Sequence, residues 1–259
     1  MKRFTEISNL ERQQRIRALI LQNQRVNIDE LVTCFDISPA TARRDLEALA
    51  SRGWVQRVHG GAIVVQHAPP EPPVLQRTAE QAEEKRRIAI AAAGLIADGD
   101  TVFLSSGTTS LEVAHHLRNR RGLTVITNSL AVLNTLAECP EIILVALGGM
   151  FRHSELSFTG HMTEQAMSDL RADKVIFGIR AIHEKEGLMN DSLQETMTDR
   201  AILRLGRQII VVADHTKLGR TATVAVASLS AIHILITDDQ APPDFVAALA
   251  AQGIRVITA

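Results

Sequence analysis

The sequence predicts an α/β protein in two parts: a small N-terminal domain of three helices and a β-hairpin, then a larger domain built on a mainly parallel sheet covered by helices. Three observations lead there. The stretch His67-Ala-Pro-Pro-Glu-Pro-Pro73 holds four of the eight prolines, cannot continue a helix or a central strand, and favours a stiff, extended spacer. After it, seven short apolar runs alternate with helical stretches, the pattern of a parallel sheet. Before it, helical patterns lead to Gly60-Gly61 between two apolar runs, a hairpin signal. The expected division is residues 1–66, a linker at 67–80, and residues 81–259.

The 259 residues are 46% apolar and 22% charged, the composition of a globular protein with ample core. No apolar run approaches the ~18 residues of a membrane span. The charged N-terminus, MKRFTEISNLERQQR, does not resemble an export signal, so a cytoplasmic protein without a membrane partner is expected. Cys34 and Cys139 are isolated, which predicts reduced thiols. The nine histidines show no ligand spacing, and neither a metal nor a cofactor is expected. Charge is uneven: residues 1–62 carry ten Lys/Arg against seven Asp/Glu, the remainder 18 against 22. The first part is therefore the one drawn to phosphates.

In the first part, Ser8 can cap a helix whose Leu10, Ile16, Leu19 and Ile20 fall near helical spacing. Asn27 caps a short helix, Ile28 to Phe35. Ser38-Pro39 opens a third, since Ser is a good N-cap and Pro is tolerated at the first helical position; Gly53 is a plausible terminator. Trp54–Val58 and Ala62–Gln66 flank the hairpin turn. This order is that of a winged helix-turn-helix.

In the third helix Ala42, Leu46 and Leu49 share one face, which predicts burial. The opposite face carries Ala40, Thr41, Arg43 and Arg44 near its N-terminus, the end by which a recognition helix enters a major groove. Arginine can donate two hydrogen bonds to a guanine, and a threonine methyl can meet a thymine methyl. Ser38 with the first helical N–H groups suits a phosphate, and Arg57 and His59 on the hairpin would reach the adjacent backbone or minor groove. Double-stranded operator DNA is the expected partner, bound by a dimer or tetramer of this chain. The plain alternative is a solvated polar face. Asp45 reads as a structural partner of a nearby arginine, because phosphates repel it.

In the second part, strands are expected at Thr101–Leu104, Leu123–Thr127, Ile142–Leu147, Lys174–Ile179, Ile209–Ala213, Ile232–Thr237 and Ile254–Thr258. Such sheets bind ligands at the carboxyl ends of their strands. Ser105-Ser106-Gly107-Thr108-Thr109-Ser110 follows a strand and opens a helix, so hydroxyls, a permissive glycine and a helix N-terminus converge on a cup for a phosphate. Asn128 and Ser129 lie at a second strand end, Asp214 and Lys217 at a third. Lys217 would place an ammonium near the anion, and Asp214 could take sugar hydroxyls. Gly148-Gly149 permits close backbone approach. Arg152 and Arg180 could each clamp a carboxylate or phosphate; the alternative for Arg180 is pairing with Glu184 or Glu186, and for Glu195 the plain reading is that it complements its helix dipole. Residues 70–90, with Leu75, are expected to transmit the signal.

These segments resemble one family specifically. SPATARRDL (38–46), RVHGGA (57–62), DGDTVFL (98–104), SSGTTS (105–110), VITNS (125–129), LGGMFR (147–152) and VVADHTKLG (211–219) are similar to the motifs of the DeoR family of bacterial regulators. The resemblance implies a winged helix-turn-helix joined to a sugar-phosphate sensor domain, with most members repressing carbohydrate-use operons. The effector it implies is a small phosphorylated sugar, or a sugar acid if Arg180 adds a cation. Departures are Ser105, Ala42 and GIRAIH (178–183). The second part also resembles ribose-5-phosphate isomerase, through its hydroxyl-rich loop and Asp214-x-x-Lys217. That raises a rival, a sugar-phosphate isomerase with an accessory domain. Isomerisation needs a carboxylate base, which the 178–183 stretch lacks. Glu155 is the one candidate, with nothing evident in the sequence to tune it. A winged helix that binds only protein is disfavoured by Arg43, Arg44 and Arg57.

Overall fold

The structure, a computed structural model, describes residues 8–51, 54–64, 68 and 71–259, with the side chain of Leu10 left out. The chain divides into two compact units, residues 1–66 and 67–259.

Unit 1 opens with α1 (Asn9–Asn23), where the Ser8 hydroxyl accepts the Glu11 N–H. A short strand β1 (Arg25–Asn27) leads into α2 (Ile28–Phe35), started by a reciprocal cap between Asn27 and Glu30. Then come α3 (Pro39–Ser51), β2 (Val55–Val58) and β3 (Gly61–Val64). The strands form an antiparallel sheet in the order β1-β3-β2. Gly61 is required there: a Cβ would stand 2.0 Å from the Val26 carbonyl oxygen. Ile16, Ile20, Leu31, Ala42, Leu46 and Leu49 form the sealed core, with Trp54 over it. The face expected to be buried on α3 is buried. The expected stop at Gly53 lies outside the described residues.

Unit 2 begins with α4 (Ala82–Gly94), β4 (Thr101–Leu104), α5 (Thr108–Leu117), β5 (Thr124–Thr127), α6 (Leu130–Leu136) and β6 (Ile143–Ala146). A small excursion follows: β7 (Met150–Arg152), β8 (Ser157–Thr159) and α7 (His161–Ser168). The chain returns through β9 (Ala172–Gly178), β10 (Ala181–His183), β11 (Gly187–Asn190), α8 (Leu193–Leu203) and β12 (Gly206–Val212). It ends with β13 (Val224–Ala227), β14 (Ile234–Thr237), α9 (Pro243–Ala251) and β15 (Arg255–Thr258). The main sheet is parallel, in the order β15-β14-β12-β9-β4-β5-β6. Alternate residues fill two separate layers: Phe103, Val175, Phe177, Val211 and Leu235 on one face, Val102, Leu104, Ile176, Ile210 and Ile236 on the other. All seven strands expected from the apolar runs are present. The antiparallel strands β7, β8, β10, β11 and β13 were not expected.

From β4 the chain steps outward through β5 and β6, then comes back to β9 on the other side of β4. The strand order thus reverses between β4 and β9, and it is outside the carboxyl ends of the strands at such a reversal that sheets of this kind bind ligands. No described helix is long and apolar enough to cross a membrane.

The proline-rich stretch was expected to be a stiff, extended spacer. Its described residues pack on unit 2: the Ala68 N–H donates to the Thr221 carbonyl at 2.8 Å, the Val74 N–H to that of Ser154 at 2.7 Å, and Ala68, Val74 and Arg77 are buried.

Candidate functional site

On α3, burying Ala42, Asp45, Leu46 and Leu49 leaves Ala40, Arg43 and Arg44 exposed and Thr41 half-exposed. Ser38 caps the helix, its hydroxyl accepting the Thr41 N–H at 3.1 Å and bonding the Thr41 hydroxyl at 2.9 Å. The carboxylate of Asp45 turns inward and takes Arg12 Nε at 2.7 Å and Gln13 Nε2 at 3.1 Å. The hydrogen bond to Asp45 raises the Arg12 guanidinium above its ordinary range, against burial. Asp45 is thus the structural partner expected, and it fixes α3 to α1. His59 is exposed at the hairpin turn. Arg57 does not project from the hairpin as expected: it folds back, donating to the Arg43 carbonyl at 3.1 Å and standing 3.6 Å from Glu47. Its contact there orients the α3 backbone.

In unit 2 the carboxyl ends of β4, β5, β9 and β12 bring the expected hydroxyl loop and cations to one edge of the sheet. Ser105 and Ser110 bond each other at 3.0 Å, and Ser105 Oγ accepts the Gly178 N–H at 3.0 Å. Gly178 lets the strands close, since a Cβ would meet Ser106 O and Ser110 Oγ at 3.4 Å. The loop enters α5 at Gly107, with φ +108° and no side-chain cap. Its first N–H groups, at Thr108, Thr109 and Ser110, suit an anion. Ser129 caps α6. Asn128 donates through Nδ2 to the Phe158 carbonyl at 2.9 Å, leaving its buried Oδ1 without a partner among the described residues.

The cations are joined by residues the sequence reading did not assign to the site. Glu71, in the proline-rich segment, accepts from Lys217 through Oε1 and faces Arg77 at 3.1 Å and Arg180 at 3.4 Å through Oε2. These three cations hold its carboxyl below the ordinary range although burial, the largest influence, pushes the other way. Arg77 also pairs with Glu155 at 2.5 Å, and Arg180 with Asp191. Lys85 on α4 is buried, donates to the Arg77 carbonyl at 2.7 Å, and is lowered chiefly by burial, with Asp214 opposing. Lys85 was legible in principle: it sits at i, i+3, i+4 and i+7 with Ile88, Ala89 and Ala92, so it shares the buried face.

Several expectations are corrected. Arg180 pairs with Glu71 and Asp191, not Glu184 or Glu186, because β10 and β11 turn Asp191 back toward it. Arg152 is committed to Glu195, so Glu195 does more than face a helix dipole. Asp214 Oδ1 is taken by the Thr216 N–H and hydroxyl, capping the turn that carries Lys217. Gly149 meets its own chain: a Cβ would stand 2.0 Å from Thr163 Oγ1, while Thr163 donates to the Gly148 carbonyl at 2.9 Å. Glu155 is buried, and that burial raises its carboxyl against the pull of Arg77; its surroundings do tune it.

Comparison with known proteins follows the same division. Residues 12–68 match the DeoR-like helix-turn-helix domain and residues 80–239 the DeoR C terminal sensor domain. The chain is 38% identical over 233 residues to the glycerol-3-phosphate regulon repressor of Escherichia coli (strain K12), spanning 90% of this chain and 91% of that protein. It is 35% identical to the transcriptional repressor AccR of Agrobacterium fabrum, over 89% of this chain and 90% of the relative. To the HTH-type transcriptional repressor CsqR of Escherichia coli it is 34% identical, over 98% and 97% of the two chains. Among solved structures, ribose 5-phosphate isomerase A of Methanocaldococcus jannaschii aligns with a TM-score of 0.41 at 19% identity, over 54% of this chain and 55% of that one.

Proposed function

This chain belongs to the DeoR family of helix-turn-helix transcription regulators, and from that premise we propose that it represses a carbohydrate or sugar-acid catabolic operon and is released by a small phosphorylated effector. The observation that carries the reading is the division of labour on α3. Asp45, Ala42, Leu46 and Leu49 lock the helix into unit 1, which leaves Arg43 and Arg44 outward with no structural task assigned to them. In this reading Ser38 meets a phosphate, His59 the adjacent backbone or minor groove and the Thr41 methyl a thymine methyl, and Ala40 is small enough for α3 to sit deep in the groove. Two copies of α3 in a dimer would read two half-sites one helical turn apart.

The effector reading rests on the strand ends at β4 and β9. The hydroxyl loop 105–110 offers N–H and O–H donors, Asn128 a free acceptor, and Lys217 and Arg180 positive charge. We read this as binding without turnover. Glu155, the carboxylate weighed as an isomerase base, is committed to a buried ion pair with Arg77. An effector that favours a conformer with the wrong half-site spacing releases DNA, and a coupling of ~1–3 kcal/mol is typical of such switches. The cytoplasm, where operator DNA lies, is the proposed location.

A gel shift with the protein's own promoter region tests the DNA half. Arg43→Ala or Arg44→Ala is expected to weaken binding by ~1–3 kcal/mol, and at least one should relax the preference for sequence. If both variants bind as the parent does while folded, α3 is not the reading element. Turnover of ribose 5-phosphate by the purified chain would overturn the non-enzymatic half.

A further inference from the structure

Most strong cations near the strand ends of unit 2 have local partners, as Arg152 has in Glu195. Glu71 is different. One carboxylate, carried by the proline-rich segment, collects Arg77, Arg180 and Lys217. Two of these were assigned to the effector on independent grounds: Lys217 follows β12, and Arg180 lies two residues past Gly178 at the reversal of strand order. The carboxylate of Glu71 therefore sits where those residues would hold an incoming anion.

Charge matching points the same way. Arg77, Arg180, Lys217 and buried Lys85 face Glu71, Glu155, Asp191 and Asp214. Taking Glu71 away leaves Lys217 without the carboxylate that meets it, and an anionic group in its place restores that pair. Glu155 shares Arg77 and Asp191 shares Arg180 with Glu71, Asp191 also taking the Thr223 N–H, while Asp214 caps the turn at Thr216. Glu71 has no described partner outside the three cations.

We propose that Glu71 is an internal stand-in for the anionic group of the effector, so that binding is an exchange at Arg77, Arg180 and Lys217 that loosens the Glu71–Val74 end of the segment from unit 2, while Arg77 stays held by Glu155 and Lys85. The proposal rests on the reading of the strand ends as an anion site. The flanking chemistry makes the exchange consequential. Pro69, Pro70, Pro72 and Pro73 have no N–H to donate, so the segment cannot be stitched down by a backbone ladder. Its hold comes from the Glu71 pairs to Arg180 and Lys217, from Arg77 with Glu155 and Lys85, from the Val74 side chain and from a few N–H groups, those of Ala68 and Val74 among them. In sequence this segment directly follows the DNA-binding unit. An anion that displaces Glu71 acts on the connection between the two units without having to reach the first.

Inorganic phosphate is the probe, titrated by calorimetry into the full chain and into Glu71→Gln and Lys217→Ala. Gln keeps the shape of the side chain and removes the competing charge. Glu71→Gln is expected to bind phosphate about tenfold more tightly than the parent, equivalent to ~1.4 kcal/mol, whereas Lys217→Ala loses binding. In the parent chain, saturating phosphate is expected to speed hydrogen exchange in the peptide spanning 71–80, at the Val74 amide above all. This second measurement does not depend on how the variant folds. Equal affinities for parent and Glu71→Gln, with Lys217→Ala still defective, would sink the stand-in and leave the anion site intact. No phosphate binding by any of the three would sink both.

Discussion

Asp45 stands next to Arg44 on α3, and the structure gives it no part in DNA reading. Asp45→Ala tests that separation. The substitution removes the acceptor of three hydrogen bonds, from Arg12 Nε at 2.7 Å, Arg12 Nη2 at 3.2 Å and Gln13 Nε2 at 3.1 Å. Breaking a fully buried ion pair from one side costs about 3–5 kcal/mol. Here the Arg12 side chain keeps 14% of its surface in water and a second acceptor, Asn9 Oδ1 at 2.8 Å. Alanine also improves helix propensity by roughly half a kcal/mol. The expected net loss is therefore ~2–3 kcal/mol, a large share of the roughly 3–10 kcal/mol available to a domain of this size. Scanning calorimetry of the full chain should show the unit 1 transition falling by about 10–20 °C while the unit 2 transition stays in place. At a temperature where the variant is folded, its preference among operator sequences should match the parent's. Arg12→Ala combined with Asp45→Ala should cost little more than Asp45→Ala alone. A loss under ~0.5 kcal/mol, or full additivity of the two substitutions, would show that the pair does not hold α3, and a changed operator preference would show that Asp45 belongs to the reading surface.

Gly61→Ala puts a methyl into the Val26 carbonyl, 2.0 Å away, and should destabilise unit 1 by about 3 kcal/mol by prising β1 from β3; a variant that melts with the parent would show that the sheet yields without cost. A fragment of residues 68–259 should unfold at higher denaturant than one of 81–259, which lacks Glu71, Val74 and Arg77 and leaves Glu155, Arg180 and Lys217 short of partners; coincident urea curves would mean the segment adds nothing to unit 2. Burial pushes the Asp199 carboxyl up to about 7, against the Asn190 hydrogen bond and the Arg152 charge. The folded chain then keeps a proton that the unfolded chain releases, so this stability is full below the ordinary carboxylate range and is lost as pH rises to about 7. Urea unfolding on both sides of that window should show Asp199→Asn gaining on the parent as pH rises, and a constant offset would contradict the assignment.

How much of this was legible follows from where each signal resides. A parallel strand covered on both faces must be apolar throughout, so Val102-Phe103-Leu104 and Ile209–Val212 announce themselves without help. Strand β1 has one apolar residue, Val26, between Arg25 and Asn27, and it exists because Gly61 lets β3 come close. Strands β7, β8, β10 and β13 are three or four residues long, too short for alternation to rise above chance. Their pairing partners, not their composition, make them strands.

The site divides in the same way. The loop 105–110 could be read because its chemistry is local: a strand end, five hydroxyls, a glycine and a helix start are contiguous in the chain. Glu71 could not, because the cation it meets at Lys217 is 146 positions away and no periodicity links them. The prolines around it had been read only for stiffness, and stiffness does not say whether a segment stands free or lies against a surface. Lacking N–H donors, those prolines leave side chains and a few neighbouring amides to decide where the segment rests. The single charged residue among them was therefore the informative one. A lone acidic residue set among prolines in an otherwise uncharged stretch has to be solvated or paired, and pairing here places a carboxylate among the cations suited to a phosphorylated ligand.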